Sequence, residues 1–298
     1  MFHAALQADD IADLRGALTA SPYEVNTIKT ISVQQHRLPQ GVLGYLNEKC
    51  SFDKSIQDDD VTIELEGTPL LLAVFLGRVD MVALLIACDS VDVNTANQTH
   101  DTPLGIATLA GACGLVQALL ARPDIQPNVA NKLGQSPLHV ATIHGHSELV
   151  RLLLSHTTVD MNQRCDFKQP GYSAIKRAVQ SGCSALFIAA QSGFVDIVDI
   201  LLPLSDPMAA TTTDKWTPLM AAIMGRQCDA GLRERKDTVA LRLLACSKVA
   251  ETINTVDSVK RPNAADICCH GGLDSACIGL DRIFPHRFGP KGDSCKEI

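Results

Sequence analysis

The amino-acid sequence predicts an all-α solenoid of stacked helix-turn-helix units, and three observations carry that expectation. One short motif recurs: Thr68-Pro69-Leu70, Thr102-Pro103-Leu104, Ser136-Pro137-Leu138, Ser184-Ala185-Leu186 and Thr217-Pro218-Leu219. Successive motifs are evenly spaced except between Ser136 and Ser184, where the interval is longer. Each motif opens an Ala-bearing segment that ends at a break: LLLAVFLG (70–77), GIATLAG (105–111), HVATIHG (139–145) and FIAAQSG (187–193). A second apolar segment then follows, as MVALLIAC (81–88), LVQALLAR (115–122), LVRLLLSH (149–156) and IVDILLPL (197–204).

Physical chemistry accounts for this spelling. A Thr or Ser hydroxyl caps the first helix, Pro sits at the first helical position without wasting an N–H, and Gly permits the break. Leu and Val at three- and four-residue spacing give every helix one apolar stripe. A single unit cannot bury both of its faces, so neighbouring units must stack.

The period and the pattern T-P-L-x-x-A-x-x-x-G, then V-x-x-L-L, then V-D-V-N resemble the ankyrin repeat. The closing motif stands as Val91-Asp92-Val93-Asn94 and Val159-Asp160-Met161-Asn162. The resemblance implies one solenoid domain over residues 1–298, with hairpin fingers projecting from the helical stack and degenerate terminal caps. Residues 1–26 read as an N-terminal cap in which Phe2 replaces the usual Leu, and 67–250 as the clear repeats. Residues 251–298 read as a degenerate C-terminal repeat and tail. Five helical pairs and two caps are expected.

Three segments depart from the repeat. Residues 27–66 occupy the length of a whole unit without its pattern, and read as an irregular excursion or a decayed repeat carrying the acidic run Asp58–Asp60. Residues 163–178 supply most of the excess length between Asn162 and Ser184, which the resemblance places in a finger. Residues 226–236 lengthen the connection between two helices of one unit, and their Arg-Glu-Arg-Lys run is expected to be solvated.

Composition bounds the function. A net charge of −7 argues against general nucleic-acid binding, which leans on Lys and Arg clusters. No stretch approaches the roughly 18 apolar residues of a membrane span, and the N-terminus lacks a basic leader region, so a cytosolic or nuclear location is expected. The 11 cysteines are odd in number and contain no Cys-x-x-Cys, and most are expected to be reduced packing residues. Several, such as Cys88, Cys246 and Cys268, read as small helical residues. Cys268-Cys269-His270 with Cys277 lacks the paired spacing of structural zinc. No P-loop, dinucleotide fingerprint, HExxH or GxSxG occurs, and neither metal nor cofactor is expected.

The resemblance implies that a protein partner is held by finger tips and the first-helix surface. Carried over residue by residue, this gives Gln98, His100, Asp101, Lys132, Leu133, Gln135, Lys215 and Trp216 on fingers, and Phe75, His144, Gln191 and Met224 on first helices, with Tyr172 in the long finger. Trp216, the single tryptophan, is either an aromatic anchor or packing between fingers. His139 and His146 match framework positions of the family. The alternative is a small-molecule site or a cofactor-free isomerase or cyclase, roofed by 27–66 and 163–178. In it His144 or His100 would transfer protons, Tyr172 would donate a hydrogen bond, and Trp216 or Phe75 would form the apolar wall.

Overall fold

The capping predicted for the first helices is present in a computed structural model of the chain, which describes residues 1–21, 24–40, 42–43, 62–166, 181–211, 216–223 and 230–252. Thr68, Thr102, Ser184 and Thr217 hydroxyls accept from the backbone N–H three residues on, at 3.2–3.4 Å. Ser136 uses a reciprocal box: His139 Nδ1 accepts from the Ser136 N–H at 3.3 Å and lies 2.8 Å from its hydroxyl. His139 is therefore a framework residue, as its position implies.

Contacts divide the chain into two units, Met1–Asp160 and Met161–Ile298. Unit 1 contains α1 (Phe2–Ala8), α2 (Ile11–Ala20), strands β1 (Lys29–Gln34) and β2 (Thr62–Gly67), α3 (Pro69–Phe75), α4 (Val79–Ile86), α5 (Pro103–Leu109), α6 (Cys113–Leu120), α7 (Pro137–Ile143) and α8 (Ser147–Leu154). Its first helices α1, α3, α5 and α7 pack in one row, and the second helices α2, α4, α6 and α8 in another. Leu6, Leu14, Leu71, Leu72, Leu85, Leu119 and Leu153, all buried, fill the stack. The N-terminal cap is a genuine helical pair, with Phe2 buried where the repeat carries Leu.

Unit 2 contains β3 (Cys165–Asp166), β4 (Ser181–Cys183), α9 (Ala185–Ser192), α10 (Val195–Leu201), α11 (Pro218–Ile223), α12 (Ala230–Leu244) and α13 (Ser247–Thr252). Here α9 packs on α10 and α11, and α12 packs on α9, α10 and α11. The degenerate C-terminal repeat lies outside the described residues.

A ladder of asparagines joins consecutive repeats. Asn94 donates to Asp124 O (2.8 Å) and accepts from Gln126 N–H (2.8 Å); Asn128 does the same with Thr158 O (2.6 Å) and Asp160 N–H (2.8 Å). Asn26 makes the equivalent pair of bonds with Ser90 O and Asp92 N–H, both 2.8 Å. Its bond to Asp92 spans 66 residues where the ordinary bond spans 32, so the repeats on either side of the 27–66 segment are tied by the same bond as consecutive repeats. The described parts of the 27–66 segment depart from the helical pattern of the repeat. Its described ends form an antiparallel β1–β2 pair running from Lys29 opposite Gly67 to Gln34 opposite Thr62. In unit 2 the Asp206 N–H reaches Asn162 Oδ1 at 3.4 Å across 44 residues, against the ordinary 32, and this insertion too begins and ends on paired strands.

The third insertion behaves differently. From Ala230 onward it is helical and continuous with the second helix of its repeat, giving α12 15 residues where α10 has 7. Arg233, Glu234 and Arg235 are exposed as expected, whereas Lys236 is buried, its aliphatic stem lying over the α9–α10 turn. Cys88 and Cys246 also depart from expectation, standing in the turns that follow α4 and α12 and not within helices. At the position equivalent to Cys88, Arg122 caps the preceding repeat, donating to Ile86 O (2.7 Å) and Cys88 O (3.1 Å). Its fork grips Asp124 with two bonds of 2.9 Å, which raises the guanidinium pKa and lowers that of the carboxyl.

The turns between paired helices set a stability test. Gly193 and Gly111 end first helices with φ of 71°, so Ala is strained at both, but a Cβ at Gly193 would stand 3.1 Å from Leu232 Cδ1, and one at Gly111 only meets the His146 ring at 3.4 Å. Gly111→Ala should cost about 1–2 kcal/mol and Gly193→Ala measurably more, read from urea midpoints. A second test concerns His3, buried at the foot of β2, which donates from Nε2 to Gly67 O at 3.3 Å. Burial lowers its pKa from 6.5; the Gly67 bond opposes this shift, while Lys29 and the terminal amine add to it. The unfolded chain therefore takes up the proton first, and stability should fall as pH drops below 6.5. His3→Gln should flatten that part of a melting-temperature profile against pH.

Candidate functional site

The finger tips of unit 1 are fixed by asparagine side chains. Asn97 Oδ1 accepts from the N–H groups of Thr99 (3.0 Å) and Asp101 (2.9 Å); in the next repeat Asn131 Oδ1 accepts from those of Leu133 (3.0 Å) and Gln135 (3.1 Å). Both tips close through a backbone bond, Asn97 N–H to Asp101 O at 3.2 Å and Asn131 N–H to Gln135 O at 3.0 Å. Both pass through a left-handed residue, which is Gly134 (φ 72°) in one and His100 (φ 59°) in the other. A β-carbon is disfavoured in that conformation, and His100 holds it nonetheless.

Neighbouring tips are tied together. Lys132 N–H donates to Thr99 O at 3.2 Å, and Gln98 Nε2 donates to Glu66 Oε1 at 2.9 Å. The second bond joins the finger made by β1 and β2 to the next one. Glu66 is absent from the residues that the family pattern singles out. It stands before Thr68 as His100 stands before Thr102, so the repeat register contained the signal for it.

A family model described as ankyrin repeats (3 copies) matches residues 39–131 and 110–184. The chain belongs to the ankyrin-repeat family. Comparison with curated proteins gives no match.

Within the ankyrin fold the selected residues separate by depth. Gln98, His100 and Lys132 are exposed on the tips, Leu133 is half-buried beside them, and His144 is exposed at the end of α7. Asp101 and Gln135 are buried at 5% and 8% exposure, because they form the feet of the tips just before the helix caps. Asp101 is also bonded to the Thr99 hydroxyl. Phe75 is a core residue at 3% exposure: α3 packs against α1, β2 and α5 as well as α4, leaving its ring no face for a partner. Leu76 and Leu109 are likewise buried.

The ring stacked on His144 is that of His146, 5.9 Å away and inclined by 20°. His146 in turn lies against Gly111 of the preceding repeat, a framework position as the ankyrin pattern implies. In unit 2, Gln191 and Trp216 are half-buried. The backbone of Trp216 closes its finger, accepting from Thr211 N–H at 2.9 Å and donating to the Thr211 hydroxyl at 3.0 Å. Tyr172, Lys215 and Met224 lie outside the described residues. Among the described residues no three His, Cys, Asp or Glu side chains gather as metal ligands, and no helix is long and apolar enough to cross a membrane.

The exposed tip residues of unit 1 thus form a row of polar side chains on hydrogen-bonded turns. The left-handed His100 gives it a measurable cost. His100→Gly should raise stability by about 1 kcal/mol in urea unfolding while removing an exposed imidazole from the row.

Proposed function

We propose that the chain is a protein-interaction module whose unit 1 fingers hold its partner. Ankyrin repeats are generally protein-protein interaction modules. One observation carries the finer reading: Gln98, His100 and Lys132 are exposed while the backbone beneath them is fixed by the Asn97 and Asn131 turns and by the bonds between tips. Side chains presented on a preordered backbone lose little freedom on binding. Leu133 and His144 add apolar and aromatic area beside the polar row, and Gln191 and Trp216 offer comparable groups in unit 2. No observation on the described residues favours the small-molecule or enzyme reading.

The test places a photo-crosslinking residue at position 98 and another at the exposed Arg151 of α8, in a cell extract. Position 98 should capture a protein that position 151 does not. The combined variant Gln98→Ala, His100→Gly and Lys132→Ala should then bind that purified protein at least tenfold more weakly, a loss of ~1.4 kcal/mol, while retaining its helical spectrum. Equal capture at both positions, or unchanged affinity in the triple variant, refutes the assignment.

A further inference from the structure

The stem of the long finger in unit 2 holds two cysteines in register. β3 and β4 are antiparallel, with Cys165 directly opposite Cys183 and the two exposed by only 0% and 3%. Residues opposite one another on antiparallel strands have Cα atoms about 4.5–5.5 Å apart and project their side chains from the same face. A disulfide needs about 4.4–6.8 Å, a range that includes the usual separation of directly opposed residues. The stem is anchored as well: Arg164, the residue before Cys165, donates to Gly182 O at 3.3 Å and to Ala210 O of the following finger. A bulge at Gly182, with φ 79°, sets the register beside Cys183.

From this juxtaposition we infer that Cys165 and Cys183 form an oxidisable pair, whose disulfide staples the finger insertion at its base. The intervening segment, 166–182, becomes a covalently closed loop, and cross-linking removes loop freedom that an unlinked insertion retains. The oxidant is a low-molecular-weight disulfide of the glutathione class. One protein thiolate attacks it, breaking its S–S bond to give a mixed disulfide and one released thiol. The second cysteine's thiolate then attacks the protein sulfur of that mixed disulfide and expels the other thiol. Two protein thiols and one small disulfide thus yield one protein disulfide and two small thiols, with electrons and protons balanced. Burial makes the first attack depend on local opening of the short strands, so the exposed Cys113 should react earlier.

The experiment equilibrates the full folded chain with oxidised and reduced glutathione at increasing ratios, quenches by alkylation, and maps the peptides by mass spectrometry. The expected product is a peptide pair linked through Cys165 and Cys183 that has lost two hydrogens, accounting for most of both cysteines. Trypsin cutting at Lys168, Lys176 or Arg177 should leave the oxidised chain as one covalent species until reductant is added. Cys113→Ser should leave the linkage intact and Cys183→Ser should abolish it. The inference is overturned if, under conditions that fully modify Cys113, Cys165 and Cys183 are recovered separately alkylated or separately glutathionylated, or if Cys165 is linked elsewhere. The mapping on the natural chain decides the matter even if a variant misfolds.

Discussion

In unit 1, the amide of an asparagine that closes a repeat and bonds two backbone groups of the next is the constraint on which the rest of the array depends. A finger is a run of backbone at the surface with no helix to satisfy its polar groups, and Asn94 and Asn128 satisfy two of them in the following repeat while fixing the spacing. Hydrophobic burial between helices is larger in total but tolerates sliding. The amide pair does not, because a shift of one residue breaks both bonds. The ladder therefore converts stacked helical pairs into an array with a defined step.

This arrangement explains where the chain accepts extra sequence. Asn26 makes the same two bonds as its counterparts across a much longer stretch of sequence, and Asn162 keeps its bond across a shorter insertion. Both excursions leave through paired strands, so the polar backbone at their bases is satisfied before the chain departs. Loop closure costs rise only slowly with length, and an insertion outside the ladder costs the array little. The extension in α12 follows another rule. It elongates an existing helix and lies against the Gly193 turn, where an added Cβ would stand 3.1 Å from Leu232 Cδ1.

The same hydrogen bonding fixes the exposed finger tips. Tips held by Asn97 and Asn131 expose Gln98, His100 and Lys132 while their feet, Asp101 and Gln135, are buried. The left-handed conformation of His100 is a local cost at an exposed position, where the neighbouring tip uses glycine.

The sequence by itself determined the helical pairs, their caps and the repeat step, because each depends on local chemistry that recurs once per repeat and is visible by self-alignment. It could not separate tip from foot at Asp101 and Gln135, nor show that Phe75 is covered, because burial depends on which neighbours pack against α3 and not on spacing. It left 27–66 open between excursion and decayed repeat. Only the tertiary structure showed that the repeats flanking it are bonded directly, through an Asn26 bond spanning 66 residues. It also decided the pairing of Cys165 with Cys183, since the register across a long insertion is set by strand pairing, of which two isolated cysteines in the sequence carry no trace.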